Sequence, residues 1–221
     1  MNNLIGLFIA YAYVFIVIGL AEGLRRWRGY SNNFTRKFIH IGVGMLSWLV
    51  PFLFTSPWPF VGACLTFAVL NIFDWRYGFF SSMASSNRTN LGTVYFPLAA
   101  AVVALVFWDH PPLLVAALMP LTWGDGLASV VGQKYGTRIY TVFGHKRSFQ
   151  GSAGFFVIGG FFTWLALWLV PGSPDITALS AIPPALVVIS ATTLAEAVSP
   201  WGLDNLIIPA VSILVLSLWS F

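Results

Sequence analysis

An all-α integral membrane protein, a bundle of about eight helices, is the fold that this sequence predicts. Three observations predict it. Hydrophobic residues make up 58% of the 221 and charged residues only 8%, whereas a soluble domain carries about 25% charged residues. Apolar runs recur at close to the roughly 20 residues that one bilayer crossing takes. Turn residues or charges separate one run from the next. The length leaves room for seven or eight crossings and little else, so residues 1–221 read as a single transmembrane domain.

Taken in order, the first run is about Leu4 to Leu24, and its basic residues Arg25, Arg26 and Arg28 follow it. A signal peptide has the opposite polarity, so this run is expected to be a true span. The second, Phe38 to Phe54, follows Arg36 and Lys37 and stops at Thr55-Ser56-Pro57. The third, Trp58 to Phe73, leads into Asp74, Arg76 and the polar stretch Ser81 to Asn90. The fourth, Gly92 to Trp108, ends at Asp109-His110-Pro111-Pro112, and the fifth covers Leu113 to about Gly132. The sixth is Gly151 to Val170, the seventh Ile176 to Val198 and the eighth Leu203 to Trp219, with Pro-Gly turns between them. The lone cysteine, Cys64, lies inside an apolar run, so no intramolecular disulfide can form.

All eleven Lys and Arg fall after the first, third and fifth runs. Positive charge marks the cytoplasmic side of short loops. The N-terminus is therefore expected outside, and an even number of spans returns the C-terminus to the same side. This topology also accounts for the pI near 9.5, so no nucleic-acid partner is expected.

Asp74, Asp125, Glu196 and Asp204 map to the cytoplasmic helix ends, as do His40, Asn71, Asn90 and Asn205. Carboxylates at membrane depth are costly and usually face a cavity or a partner. Four of them beside basic loops predict a polar site for a metal and a polyanion at the cytoplasmic face. Mg²⁺ suits such a site, being held by a few carboxylates plus substrate phosphates. Arg36 and His40, four apart, share a helical face.

The stretch Met119 to Ser152 joins these elements. Gly124, Ala128, Gly132 and Gly136 recur at every fourth position, a ridge that fits close helix packing and equally the approach of backbone to a phosphate. Lys146, Arg147 and Ser148 stand between Gly144 and Gly151, a basic loop at a helix start where free N–H groups favour anions. Neither a P-loop, a zinc-type Cys/His cluster nor a Gly-x-Ser-x-Gly elbow is present. The tryptophans read as interface belt and packing.

The residues from Met119-Pro120-Leu121-Thr122-Trp123-Gly124-Asp125-Gly126 through Lys146-Arg147-Ser148-Phe149-Gln150-Gly151-Ser152 resemble the signature of the CTP-dependent polyprenol kinases. Phytol kinase, dolichol kinase and the CTP-using diacylglycerol kinase of yeast belong to that family. Arg36-Lys37 with His40, Asn90-Leu91-Gly92-Thr93, and Glu196 with Asp204-Asn205-Leu206 extend the likeness, which looks closest to the phytol kinase branch. The resemblance implies transfer of the CTP γ-phosphoryl group to a long-chain isoprenoid alcohol such as phytol, geranylgeraniol or farnesol. It implies Mg²⁺ on Asp125 with Glu196 or Asp204. Gly124, Gly132, Gly136, Lys134, Lys146, Arg147, Ser148 and Gly151 would hold the nucleotide, with Asn90 and Asn205 orienting it. Asp74, Asp204 and His40 are the candidate bases. One departure stands out: Arg147, rather than a lysine, directly precedes Ser148. A phosphatidate cytidylyltransferase-like enzyme would use the same ingredients. A transporter would need polar groups at mid-membrane and often shows repeats, and neither is visible here.

Overall fold

The computed structural model describes residues 2–79, 91–200 and 202–221. Helix takes up 78% of the structure. In chain order the helices are α1 (Asn3–Arg28), α2 (Asn32–Met45), α3 (Pro57–Tyr77), α4 (Gly92–Phe107), α5 (Pro111–Tyr135), α6 (Phe149–Leu169), α7 (Ile182–Val198) and α8 (Asp204–Leu218). Among them α1, α3, α5 and α6 are long and apolar enough to cross a membrane, and α4, α7 and α8 are shorter apolar helices. The protein is an α-helical membrane protein.

Helix α5 is the centre of the bundle. Of its apolar window 67% is buried, against 28–33% in the other three long helices, which therefore turn most of their surface outward. Leu114, Val115, Met119 and Leu121 on α5 are fully enclosed. Pro120 brings no N–H to the helix ladder, and from Pro120 to Asp125 the helix widens into a π-helical turn. A second π-helical turn, Phe155–Gly159 in α6, packs against the first. The glycines make that crossing possible: a Cβ on Gly159 would stand 3.2 Å from the Gly124 Cα, and one on Gly124 would stand 3.0 Å from the Phe155 ring. Trp123 and Phe162 stack across the same crossing with ring centroids 4.0 Å apart.

On the other side of α5, α2 lies equally close. A Cβ on Gly44 would collide with the Thr122 side chain, and one on Gly126 would come within 2.6 Å of Ile41. The Trp123 and Trp48 indole N–H groups point at the sulfurs of Met45 and Met119, at 3.0 and 3.3 Å. The Tyr13 hydroxyl donates to the Gly42 carbonyl at 2.8 Å and ties α1 to the pair.

Three sequence expectations change. Helix α2 starts at Asn32 rather than at Phe38, because the Ser31 Oγ accepts from the Phe34 N–H and caps the helix there. Arg36 and Lys37 therefore lie inside the helix, which passes through a 3₁₀ turn at Leu46–Trp48 before the short helix Val50–Leu53. Helix α7 starts at Ile182 rather than at Ile176, where Pro183 and Pro184 suit the first turn and could not sit deeper. The basic loop between α5 and α6 is a β-ribbon rather than irregular. Ile139–Val142 (β1) pairs antiparallel with His145–Ser148 (β2), and Phe143 and Gly144 make the turn at φ 48° and 80°. Two positive φ values in a two-residue connection match the twist of a hairpin.

Gly44→Ala is expected to lower stability by about 1 to 3 kcal/mol through overpacking at the α2–α5 crossing. Gly62→Ala, whose added methyl meets nothing within 4 Å, is the control. Thermal unfolding in detergent checks the pair, and equal melting temperatures would refute the close-crossing account.

Candidate functional site

The Lys37 ammonium donates to Asp125 twice, to the carboxylate Oδ2 at 2.8 Å and to the backbone carbonyl at 2.9 Å. The His40 Nε2 donates to the Leu121 carbonyl at 2.8 Å and lies 3.6 Å from the same Asp125 Oδ2. Both carbonyls belong to the π-helical turn of α5, where the widened ladder gives carbonyls to other partners. Lys37 and His40, three apart on α2, present both donors to that turn. The two ionic side chains are only 20% and 13% exposed, so removing either leaves a mostly buried charge.

This pair stands at one end of a cavity of about 200 Å³, several times the roughly 30 Å³ that one water molecule occupies. Asn33, Arg36, Asn71, Thr93, Asp204 and Asn205 line the same polar end. There the Asn71 amide donates to the Thr93 carbonyl at 2.7 Å, which joins α3 to α4. Away from it the walls become apolar, formed by α1, α3 and α4 with the lower turns of α2.

A second ionic cluster lies on the ribbon side. Arg147 on β2 pairs with Glu196 at the end of α7, donates to the Ser199 carbonyl at 2.8 Å, and lies 3.8 Å from Asp204 Oδ2. Asp204 Oδ1 accepts from the Asn205 N–H and side-chain amide at 2.9 and 2.8 Å. Asp204 thus belongs to both clusters, and Arg147 brings Glu196 and Asp204 to one place.

The other expected site residues have other surroundings. Gly132, Gly136 and Gly151 gather around Ser148: a Cβ on any of them would stand within 3.0 Å of the Ser148 Oγ. That Oγ accepts from the Gly151 N–H at 3.1 Å and caps α6. Gly124 faces Phe155. All four glycines therefore serve helix packing in this structure. Lys134 is exposed with its ammonium 5.2 Å from the Tyr135 ring, and Lys146 is exposed on the ribbon. Asp74 is buried on α3 but does not line the cavity. Asn90 lies outside the described residues. Among the described residues no group of three or more His, Cys, Asp or Glu is placed to hold a metal ion, so the expected set of Asp125, Glu196 and Asp204 is not one cluster. Asp125 and Asp204 share the cavity mouth, and two carboxylates suffice for a Mg²⁺ that keeps phosphate oxygens as its other ligands.

Lys37 is the site residue that the sequence signal understated. Its spacing to His40 was legible, but a basic residue beside an apolar run looks the same when it only marks topology.

Fixed charges thus stand at the mouth of an apolar cavity inside a helical membrane protein. No family model and no solved structure matches the chain. Among curated proteins it is 29% identical over 209 residues to a phytol kinase of Synechocystis sp., covering 94% of this chain and 88% of that one. It is 36% identical over 132 residues to CTP-dependent diacylglycerol kinase 1 of Schizosaccharomyces pombe, covering 58% and 59%. It is 28% identical over 144 residues to the chloroplastic farnesol kinase of Arabidopsis thaliana, covering 59% and 46%. The chain is thus similar to phytol, farnesol and CTP-dependent diacylglycerol kinases, which supports a CTP-dependent polyprenol and phytol kinase family.

Two predictions follow from the geometry. Lys37→Met alone is expected to cost about 3 to 5 kcal/mol, because Asp125 is left buried and uncompensated, while Lys37→Met with Asp125→Leu recovers much of that loss. Unfolding of the single and double variants in detergent checks it, and a double variant less stable than Lys37→Met would refute it. Arg147→Lys keeps the charge but loses the planar fork that reaches Glu196 and Ser199 together. Faster limited proteolysis at the Phe143-Gly144 turn is the expected outcome, and an unchanged cleavage rate would show that the ribbon is held by other contacts.

Proposed function

We propose that the protein is a lipid kinase that moves the γ-phosphoryl group of CTP to the hydroxyl of a long-chain isoprenoid alcohol. The observation that carries this reading is the two-ended cavity, with Asp125, Lys37 and Asp204 at one end and hydrocarbon walls at the other. An alcohol with a long tail fits it in one orientation, hydroxyl toward the acids. The names of the relatives agree: each is a kinase, and phytol and farnesol are both isoprenoid alcohols.

In the reaction the alcohol oxygen forms a bond to the γ-phosphorus while the bond to the β-phosphate bridging oxygen breaks, so CDP leaves and a prenyl phosphate remains. The hydroxyl proton passes to Asp204, whose place at the mouth Asn205 fixes through two hydrogen bonds. A loose phosphoryl-transfer transition state asks little of a base and much of positioning and charge. Lys37 and Arg36 at the mouth supply positive charge to the transferring group. Asp125, pinned by Lys37, is a fixed negative charge beside His40. Mg²⁺ brought in with the triphosphate would be held by Asp125, and would neutralise charge on the phosphoryl oxygens. Lys134 and Lys146, both exposed, draw the nucleotide toward the site from the basic loops. Glu196 serves as the anchor of Arg147 rather than as a metal ligand.

Eight crossings with the N-terminus outside place the mouth at the cytoplasmic surface, where the basic loops belong and CTP is available.

Detergent-purified protein with γ-labelled CTP, Mg²⁺ and a panel of prenols tests the reading. Label is expected in a prenyl phosphate, is lost on chelation of Mg²⁺, and falls about 100-fold or more in Asp125→Asn, the scale for removing one charged group at a site of this kind. Release of pyrophosphate with a cytidylyl group on the lipid would instead make the protein a cytidylyltransferase.

A further inference from the structure

The polar mouth of the cavity leaves the opposite end to be explained. Depth follows from the helices that line it. On α3 the lining runs from Asn71 at the mouth through Phe67 and Cys64 to Phe60, and the eleven residue steps between them are about 16 Å of helix. On α4, which runs the other way, it passes from Gly92 and Thr93 through Phe96 and Pro97 to Ala100. On α1 it descends from Ile18 through Val14 to Ala10, and on α2 from Lys37 through His40 and Val43 to Leu46. Four helices thus agree on one long axis with polar groups at its top.

The far end is closed. Ala10, Leu46, Phe60, Ala63 and Cys64 line it and are all buried, at 1% to 6% exposure. Phe60 is backed by the buried Phe54, with ring centroids 6.0 Å apart, so the floor is one aromatic ring packed against another. Small side chains, Cys64 and Ala100, form the walls just above it. Ser47 Oγ, also at this end, is buried with no hydrogen-bond partner among the described residues, so a hydrocarbon beside it displaces no bonded group.

We propose that this closed end, floored by Phe60 on Phe54 and walled by the small side chains of Cys64 and Ala100, gauges the length of the acceptor's hydrocarbon chain. The inference rests on the kinase reading for the identity of the acceptor as an open-chain isoprenoid alcohol. A hydroxyl held at Asp125 and Asp204 fixes one end of the molecule, so each added isoprene unit is pushed toward Phe60. A chain that is too short leaves the lower cavity empty and forgoes burial, and one that is too long meets the ring.

Two variants shift the gauge in opposite directions. Phe60→Ala is expected to raise the kcat/KM ratio of a C20 to a C15 prenol roughly tenfold, and Ala100→Leu to lower it by a similar factor, the scale for methylene-sized changes in an apolar pocket. Because each ratio is read within one preparation, a partly folded sample does not distort it. A second measurement needs no turnover: a C20 alcohol carrying a diazirine on its terminal carbon is irradiated with wild-type protein in the absence of nucleotide, and the adduct is mapped by mass spectrometry. Crosslinks at Leu46, Phe60 or Cys64 are expected. Ratios unchanged in both variants of an active enzyme, or crosslinks confined to outward residues such as Leu65 and Val69, would overturn the gauge. If wild type phosphorylates no alcohol, the kinase reading fails by itself, and the crosslink position still decides whether a hydrocarbon tail occupies this end.

Discussion

The contact on which the structure depends is the Lys37 ammonium on Asp125. A carboxylate at membrane depth is tolerated only with a partner, and here one lysine meets both the side chain and the carbonyl of the same residue. That geometry demands a particular backbone. Pro120 and the π-helical turn that follows free carbonyls from the ladder of α5, and glycines at positions 44 and 126 let α2 come near enough to use them. The packing of the two central helices and the electrostatics of the site are therefore one arrangement. The stiff contacts around it, Trp123 on Phe162 and the paired π-helical turns, hold α5 in that shape from the opposite side.

A second arrangement of charge grows out of the first. Arg147 carries the ribbon to the turn between α7 and α8 by meeting Glu196, the Ser199 carbonyl and the edge of Asp204. Asp204 lines the cavity as well, so the ribbon and the cavity mouth share a residue. A segment that would otherwise be an exposed loop is thereby held in register with the site. The departure at position 147, arginine directly before Ser148, makes physical sense in this setting: a planar fork reaches a carboxylate and a carbonyl at once, which a point charge does not.

Much of this was legible in the sequence, and the limits are physical. The membrane class followed from composition, and the helical class from apolar runs of about 20 residues, the length at which a helix crosses a bilayer with its backbone satisfied. The central place of the stretch from Met119 to Ser152 followed from one acid among small residues. The ribbon was missed, although Ile139-Tyr140-Thr141-Val142 has the β-branched and aromatic content of a strand and Phe143-Gly144 can make a tight turn; a four-residue run between two long apolar segments gives too little periodicity to read. Convergence of the acids was half right. Asp125 and Asp204 meet at the mouth, whereas Glu196, held by Arg147 beside Asp204, and Asp74 do not line the cavity. Helix ends at one membrane depth still point in different directions, and a sequence gives the depth without the direction. Lys37 and Arg36 posed the same difficulty, since their charge serves topology and chemistry at the same position.

The separation of polarity along the cavity explains why the fold needs its charges at one end only. A phosphate donor is soluble and arrives from water; an isoprenoid acceptor is dissolved in the bilayer. Their reacting atoms can meet only at the boundary, so the ionic groups must be gathered at helix ends while the walls below stay apolar. Small residues on those walls, Ala10, Ala63, Cys64 and Ala100, keep a space open where larger side chains would close the bundle. Such a space costs packing energy when empty, and a tail that fills it recovers dispersion and burial. The same helices that line this space carry Lys37 and Asn71 at its mouth.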